Sequence, residues 1–236
     1  MVVQRDTMSK QAYDEIRQAI LQGHFAPGTK LVVRPLTDEL GLSATPIKVA
    51  LAALAREGLV EALPRRGYFV PTFDLDDIRD ICALRAALDR LAAELAANQP
   101  NRTELARELD VNIKKQRAAV RSGDLLRYAD LNTEFHSAIW AASKNGRLVR
   151  AADNLLGQIR LLVTTSAGMP GRPGQSVREH AKIASALRAG DANAAGRLVV
   201  AHACRSEEAL LQQRGALIGV LSVAELLANA PSEASR

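Results

Sequence analysis

The segment Gly41–Leu51, GLSATPIKVAL, limits what this chain can fold into more than any other stretch. Gly41 can take the left-handed conformation that closes a preceding helix. Ser43 has the hydroxyl that suits a helix N-cap, and Pro46 fits a first helical turn, where its missing N–H costs nothing. The spacing predicts a tight turn and a new helix from about Ala44. Helix, glycine-containing turn and second helix is the arrangement that sets a helix N-terminus into the major groove of DNA, provided the flanking segments agree.

They agree. Residues 9–23, SKQAYDEIRQAILQG, place Ala12, Ile16, Ala19 and Ile20 at helical spacing, with Ser9 as N-cap and Gly23 as stop. Pro27-Gly28 presets a turn, and a short helix over 34–39 carries Leu36 and Leu40 inward. The helix from Thr45 runs to Glu57, with Ile47, Leu51 and Leu54 on one side and Gly58 ending it. Residues 59–63 and 67–70 read as two short strands joined by Pro64-Arg65-Arg66, a hairpin with two arginines at its tip. Three helices and a basic-tipped hairpin make a winged helix-turn-helix. Charge adds little: the chain carries 31 basic and 26 acidic side chains, a net +5, and residues 30–70 hold only six basic against four acidic.

GTKLVVRPLTDELGLSATPIKVALAALAREGLVEALPRRGYFV resembles the DNA-binding domain of the GntR family of bacterial transcription regulators, a match that covers about residues 9–71. PG-x-x-L, the S-x-TP turn, EGLV and RRG-x-x-V occur in the family's order and spacing. The resemblance implies that Arg34, Ser43, Thr45 and Lys48 approach a double-stranded DNA operator and that Gly67 lets the wing, with Arg65 and Arg66, near the minor groove. Hydroxyls and N–H groups at a helix start suit phosphate, a long cation suits a guanine edge, and a glycine admits close backbone approach. The sequence departs from the family at Ala44, usually arginine, and at Lys48-Val49, usually Arg-Glu, so the family's operator does not carry over unaltered.

Beyond a hinge at Thr72-Phe73-Asp74, helical periodicity is continuous over 77–97, 102–122, 124–143, 147–166, 175–189 and 192–213, with one further apolar segment at 216–228. Aromatics are only 3% of the chain, so these helices pack by aliphatic ridges. The expected architecture is mainly α: a winged domain over 1–71, a linker over 72–76, an all-α bundle of six or seven helices over 77–228 and a disordered tail over 229–236. Cys82 and Cys204 stand far apart with no CxxC pair, no run approaches eighteen apolar residues, and no signal peptide opens the chain. A soluble cytoplasmic protein with free thiols, away from any membrane, is expected.

Three of the four histidines fall in this second region. Asn132 lies one turn before His136 on one helix face. His180 lies ten residues before Gly190 and His202 eleven after Asp191, so in an antiparallel hairpin both imidazoles sit ~15 Å from the turn, at matching height. Each lies on an inward stripe: Val177, His180, Ala184 and Leu187 in one helix, Ala195, Leu198, His202 and Ala209 in the other. One inward histidine is usually a core residue with a hydrogen bond; three at consistent heights favour a joint site. Neutral imidazoles with an oxygen donor suit zinc, nickel or another borderline divalent ion and leave positions open for water or an organic acid.

LNTEFHSAIWAASKN and REHAKIASALRAGDANAAGRLVVAHA extend the resemblance to the helical FCD domain of FadR-type GntR regulators, over about 74–213. That resemblance puts Asn132, His136, His180 and His202 at the metal-holding positions of an effector pocket, with Asn where a carboxylate is common. It also makes Arg85 a donor to an effector carboxylate, as against an ion pair with Asp89, and Arg160 a weaker candidate for the same role. The expectation is a homodimer on a pseudo-palindromic operator, a repressor released by a small organic acid. Two alternatives are a hydrolytic metalloenzyme and a DNA-binding protein whose helical domain is only structural. Against the enzyme, no HExxH occurs, and Glu134, two residues before His136, projects from another helix face.

Overall fold

Two separate apolar cores organise the chain. The computed structural model describes residues 2–228. The first core is built by α1 (Val2–Leu21), α2 (Val33–Leu40) and α3 (Ala44–Arg56), which bury Ala12, Ile16, Leu36, Ile47, Leu51 and Leu54. A three-stranded antiparallel sheet closes it, ordered β1 (Lys30–Leu31), β3 (Gly67–Phe69), β2 (Glu61–Leu63). Gly41 does end α2 in the left-handed conformation, φ 64°.

Several local expectations change. Ser9 is not an N-cap, because α1 already begins at Val2. Ser43 occupies the N-cap of α3, yet its hydroxyl makes no capping hydrogen bond. Leu59 and Val60 lie outside the strand: their N–H groups return to the carbonyl of Leu54 at 3.0 and 3.3 Å, closing α3, and both side chains are buried. The sheet also gains β1, whose two residues carried no period-2 signal.

The second core is all-helical: α4 (Leu75–Ala97), α5 (Arg102–Ser122), α6 (Leu125–Ala142), α7 (Gly146–Asp153), α8 (Leu156–Ala167), α9 (Arg172–Ala189) and α10 (Ala192–Ala228). Asp74 and Asp77 start α4 with reciprocal capping bonds of 2.8 and 2.9 Å. Ala92, Ala93 and Ala96 on α4 and Ala195 and Val199 on α10 belong to this core, and small side chains let the two packed helices approach closely.

The expected helix over 147–166 is two helices. Asp153 and Asn154 are poor helix formers, and Asn154 caps α7. The expected segment at 216–228 is no separate helix but continues α10. The tail expected at 229–236 lies outside the described residues. Among the described residues, no helix is long and apolar enough to cross a membrane, and both cysteines are free.

Candidate functional site

The expected DNA-facing side chains are exposed on α2, on α3 and at the wing. Ile47, Ala50, Leu51 and Leu54 turn α3 inward, which leaves Thr45, Lys48 and Val49 exposed, beside exposed Ser43 and, on α2, Arg34. At the wing, Arg65 takes a positive φ of 63° in the turn and Gly67 opens β3 at φ 103°. Lys30 and Arg66 lie over the Phe69 ring, 5.8 and 5.7 Å from its centre, so one aromatic ring orients two cations.

The bundle brings its three histidines together, all fully buried. Antiparallel α9 and α10 supply His180 and His202 at one height, with ring centres 4.7 Å apart, and α6 supplies His136 at 5.4 and 5.2 Å from them. Potential ligand atoms of all three lie within 4.8 Å of one another.

Each imidazole is held by its Nδ1. His136 Nδ1 stands 3.2 Å from Asp89 Oδ2, His180 Nδ1 donates to Gln116 Oε1 at 2.9 Å, and His202 Nδ1 donates to Glu179 Oε2 at 2.6 Å. The acceptors are fixed in turn. Asp89 accepts from Trp140 Nε1 at 2.5 Å and from Arg85 Nε at 3.3 Å. Glu179 accepts from Arg205 Nε at 2.6 Å and from Arg172 at 3.3 Å. Gln116 donates to Asn112 at 2.6 Å, which orients its carbonyl oxygen toward His180. An Nδ1–H engaged in this way places the ring's lone pair on Nε2, the arrangement of a metal-ligating histidine.

Two of those nitrogens, His136 Nε2 and His180 Nε2, are buried with no hydrogen-bond partner. A core that kept such atoms unpaired would lose the free energy of their hydration. The donor set therefore fits a divalent ion of the zinc or nickel kind. Burial pushes the His180 and His136 pKa down, and it brings His202 down to about 3 against the opposing Glu179 hydrogen bond. The rings are thus neutral, as ligands must be. Burial opposes ionisation of Glu179, but His202, Arg172 and Arg205 outweigh it and lower its pKa to about 2.

Beside the triad, a tight cavity is lined by Arg85, Tyr128, Asn132, Arg172, Ser176 and His202 among others. Arg85 makes the ion pair with Asp89 and still leaves Nη2 buried and unpartnered; Asn132 Nδ2 and Ser176 Oγ are unpartnered as well. Arg160 stands apart: it pairs with Asp130 of α6 at 2.5 Å and does not line this cavity. Sequence reasoning missed Gln116, Glu179, Arg172, Tyr128 and Ser176, and it saw Asp89 only as a partner for Arg85. The available signal was polar residues at helix positions that otherwise face the core, such as Gln116 between Ile113 and Ala119.

The model of the family described as bacterial regulatory proteins, gntR family, matches residues 8–70, and the FCD domain model matches residues 80–204. An HTH-type transcriptional regulator of Bacillus subtilis, YdhC, is 26% identical over 196 residues, spanning 81% of this chain and 86% of that protein. The HTH-type transcriptional repressor RspR of Escherichia coli is 25% identical over 207 residues, 88% and 90% of the two chains. The solved structure of E. coli McbR/YncC shares the fold with a TM-score of 0.74 at 22% identity, covering 88% of this chain and 98% of that one. A winged reading head joined to a helical FCD domain, matched in order along the chain, makes this protein a bacterial transcription regulator of the GntR family.

Proposed function

We propose that this regulator binds a pseudo-palindromic operator as a homodimer and responds to a small carboxylate effector beside a divalent ion. In this reading residues 1–71 form the reading head, 72–76 the linker and 77–228 the sensor, and the protein acts in the cytoplasm. His136, His180 and His202 hold the ion, with Asn132 as the oxygen donor next to them. The bound ion supplies a Lewis-acidic anchor for an effector oxygen. Arg85 Nη2 serves the effector carboxylate, with Arg172 and Ser176 also lining the cavity. The observation that carries the reading is the pair of buried, unpartnered Nε2 atoms of His136 and His180, in a triad whose third member, His202, lines a cavity with an unpartnered guanidinium nitrogen.

On the DNA side, Ser43 and Thr45 serve phosphate at the start of α3, Lys48 reaches a base edge, and Arg34, Arg65, Arg66 and Gly67 engage the flanking backbone and minor groove. Half-exposed Val49 offers a methyl face that suits thymine. Dimerisation is supported by α4, whose outer face carries Leu84 at 51% and Leu91 at 44% exposure with exposed Ala87 between them. Such a stripe can pack on its own copy about a two-fold axis.

Asp89 and Glu179 are both committed to histidine Nδ1 atoms, and Glu134 pairs with Arg127 on the outer surface at 3.5 Å. Among the described residues this leaves no carboxylate at the triad free to act as a general base, which favours sensing over hydrolysis.

The test is metal analysis of the purified protein, followed by operator binding at fixed salt with and without chelator and a series of small carboxylates. Bound zinc or nickel together with carboxylate-dependent operator release is expected. Operator binding indifferent to both would overturn the sensor reading and leave the helical domain structural.

A further inference from the structure

Helix α8 belongs to both halves of the molecule. On its sensor side, Val163 and Ala167 form a wall of the cavity beside the triad. On its other flank, Leu161, Leu162 and Thr164 line an apolar gap of about 200 Å³ between the two cores, whose far wall includes Ile20, Leu21 and Phe25 of the winged domain. At its start, the Gly157 N–H donates to the carbonyl of Glu57 at 2.8 Å. Glu57 is the C-cap of α3.

This last contact joins two helix ends. The first N–H groups of α8 have no partner within their own helix, and neither have the last carbonyls of α3. The bond satisfies one of each, and it brings the positive end of one helix dipole to the negative end of the other. The junction is closely fitted: a Cβ on Gly157 would stand 2.1 Å from the Glu57 carbonyl oxygen and 2.7 Å from Leu59 N. Leu161 packs against the core of the winged domain, so the docking is more than one hydrogen bond.

The sensor cavity measures only about 10 Å³, room for about one water molecule. An organic acid therefore needs a wall to move. The walls on α4, α6, α9 and α10 are cross-linked by the Asp89–Trp140 and Glu179–His202 bonds and by the close α4–α10 contact. Helix α8 is tied to α6 by the Arg160–Asp130 pair, before the residues that line the cavity, and is bounded by the break after Asp153 and by the turn at 168–171, where Gly171 takes a φ of 77°. It has an apolar gap behind it to enter.

We propose that α8 is the coupling element of the regulator: a ligand entering the sensor cavity drives α8 toward the gap and alters its docking on Glu57, at the end of the reading helix. The proposal rests on the effector reading above. By linkage, the docked head opposes ligand entry as strongly as the ligand opposes docking.

The test compares two bulky substitutions next to each other on α8 in the full-length dimer, read by amide exchange at Gly157. Val163→Phe adds bulk on the cavity side and imitates occupancy; exchange at Gly157 should accelerate about tenfold, within the usual range of coupling between sites. Thr164→Phe adds bulk on the gap side and blocks the movement; exchange should slow. General loss of stability would accelerate both, and that result, or no change in either, overturns the proposal. Ala167→Leu, one turn along on the cavity side, should reproduce Val163→Phe and replaces it if that variant does not fold. Zn2+ binding measured on the same proteins separates the two ideas: a wild type that binds no Zn2+ removes the metal from the effector reading, while opposite signs at Gly157 still establish the coupling.

Discussion

Glu179 accepts the Nδ1–H of His202 at 2.6 Å, across the hairpin, although its own neighbour in sequence is His180. Adjacent residues on a helix point about 100° apart, so one residue can turn its imidazole toward Gln116 while the other reaches the facing helix. A single turn of α9 thus supplies one candidate ligand and the anchor of another.

Removing that anchor should weaken metal binding at the triad. Glu179→Gln keeps the shape but loses the charge that holds the His202 ring, and the zinc affinity should fall by ~10–100-fold. Trp140 is the chain's only tryptophan and donates to Asp89, the partner of His136. Its fluorescence therefore provides the titration signal, with a competing chelator setting the scale. Equal affinity in the two proteins would mean that Glu179 has no part in holding the ligand.

Acid should destabilise the metal-free protein well before its carboxylates titrate. In the unfolded chain histidines take up protons below a pH of about 6.5, whereas in the folded chain burial keeps His202 neutral down to about 3. Between those values the unfolded state binds more protons, so stability declines as pH falls, by up to about 1.4 kcal/mol per pH unit for each such histidine. Glu179, lowered to about 2, acts in the same sense: its contribution is present above its unfolded value and is lost as pH falls toward 2. Thermal midpoints between pH 7 and 4 should fall steadily; a flat profile over that range would contradict the neutral, buried triad.

On the reading head, Lys48→Ala should weaken operator binding by ~1–3 kcal/mol if the side chain reads a base. If it meets only phosphate, the loss should be similar for all sequences and the salt dependence should flatten by about one unit of slope. Arg66→Ala, at the wing and stacked on Phe69, should reduce the salt slope in the same way. An affinity and slope unaltered by Lys48→Ala would place α3 in another orientation on the DNA.

The exposed leucines of α4 test the assembly. If α4 carries the proposed dimer interface, Leu84→Glu together with Leu91→Glu should give a monomer in sedimentation where the wild type is dimeric, with little effect on folding, because both side chains already face outward. A dimer that persists would have to use another face.

Most of the architecture follows from local chemistry. The αL glycine at position 41, the proline within the first turn of α3, the aliphatic periods and the Asp74–Asp77 capping pair act over a few residues, and such signals are present in the sequence itself. The grouping of His136, His180 and His202 was also legible, since helical rise and one hairpin turn fix the heights of the two imidazoles on α9 and α10.

What the sequence could not provide was everything decided by contacts between distant helices. Gln116 reaches His180 across 64 positions, Trp140 reaches Asp89 across 51, and Tyr13 reaches Glu57 across 44. The break between α7 and α8 belongs to the same class: it is favoured locally by Asp153 and Asn154, but its use is to bring Gly157 onto Glu57 in the other core. Periodicity reports which face of a helix is buried, whereas the partner of a buried polar atom depends on how the helices pack. Tertiary structure alone decided which side chains hold the imidazoles and that α8 touches both the helical FCD domain and the winged domain.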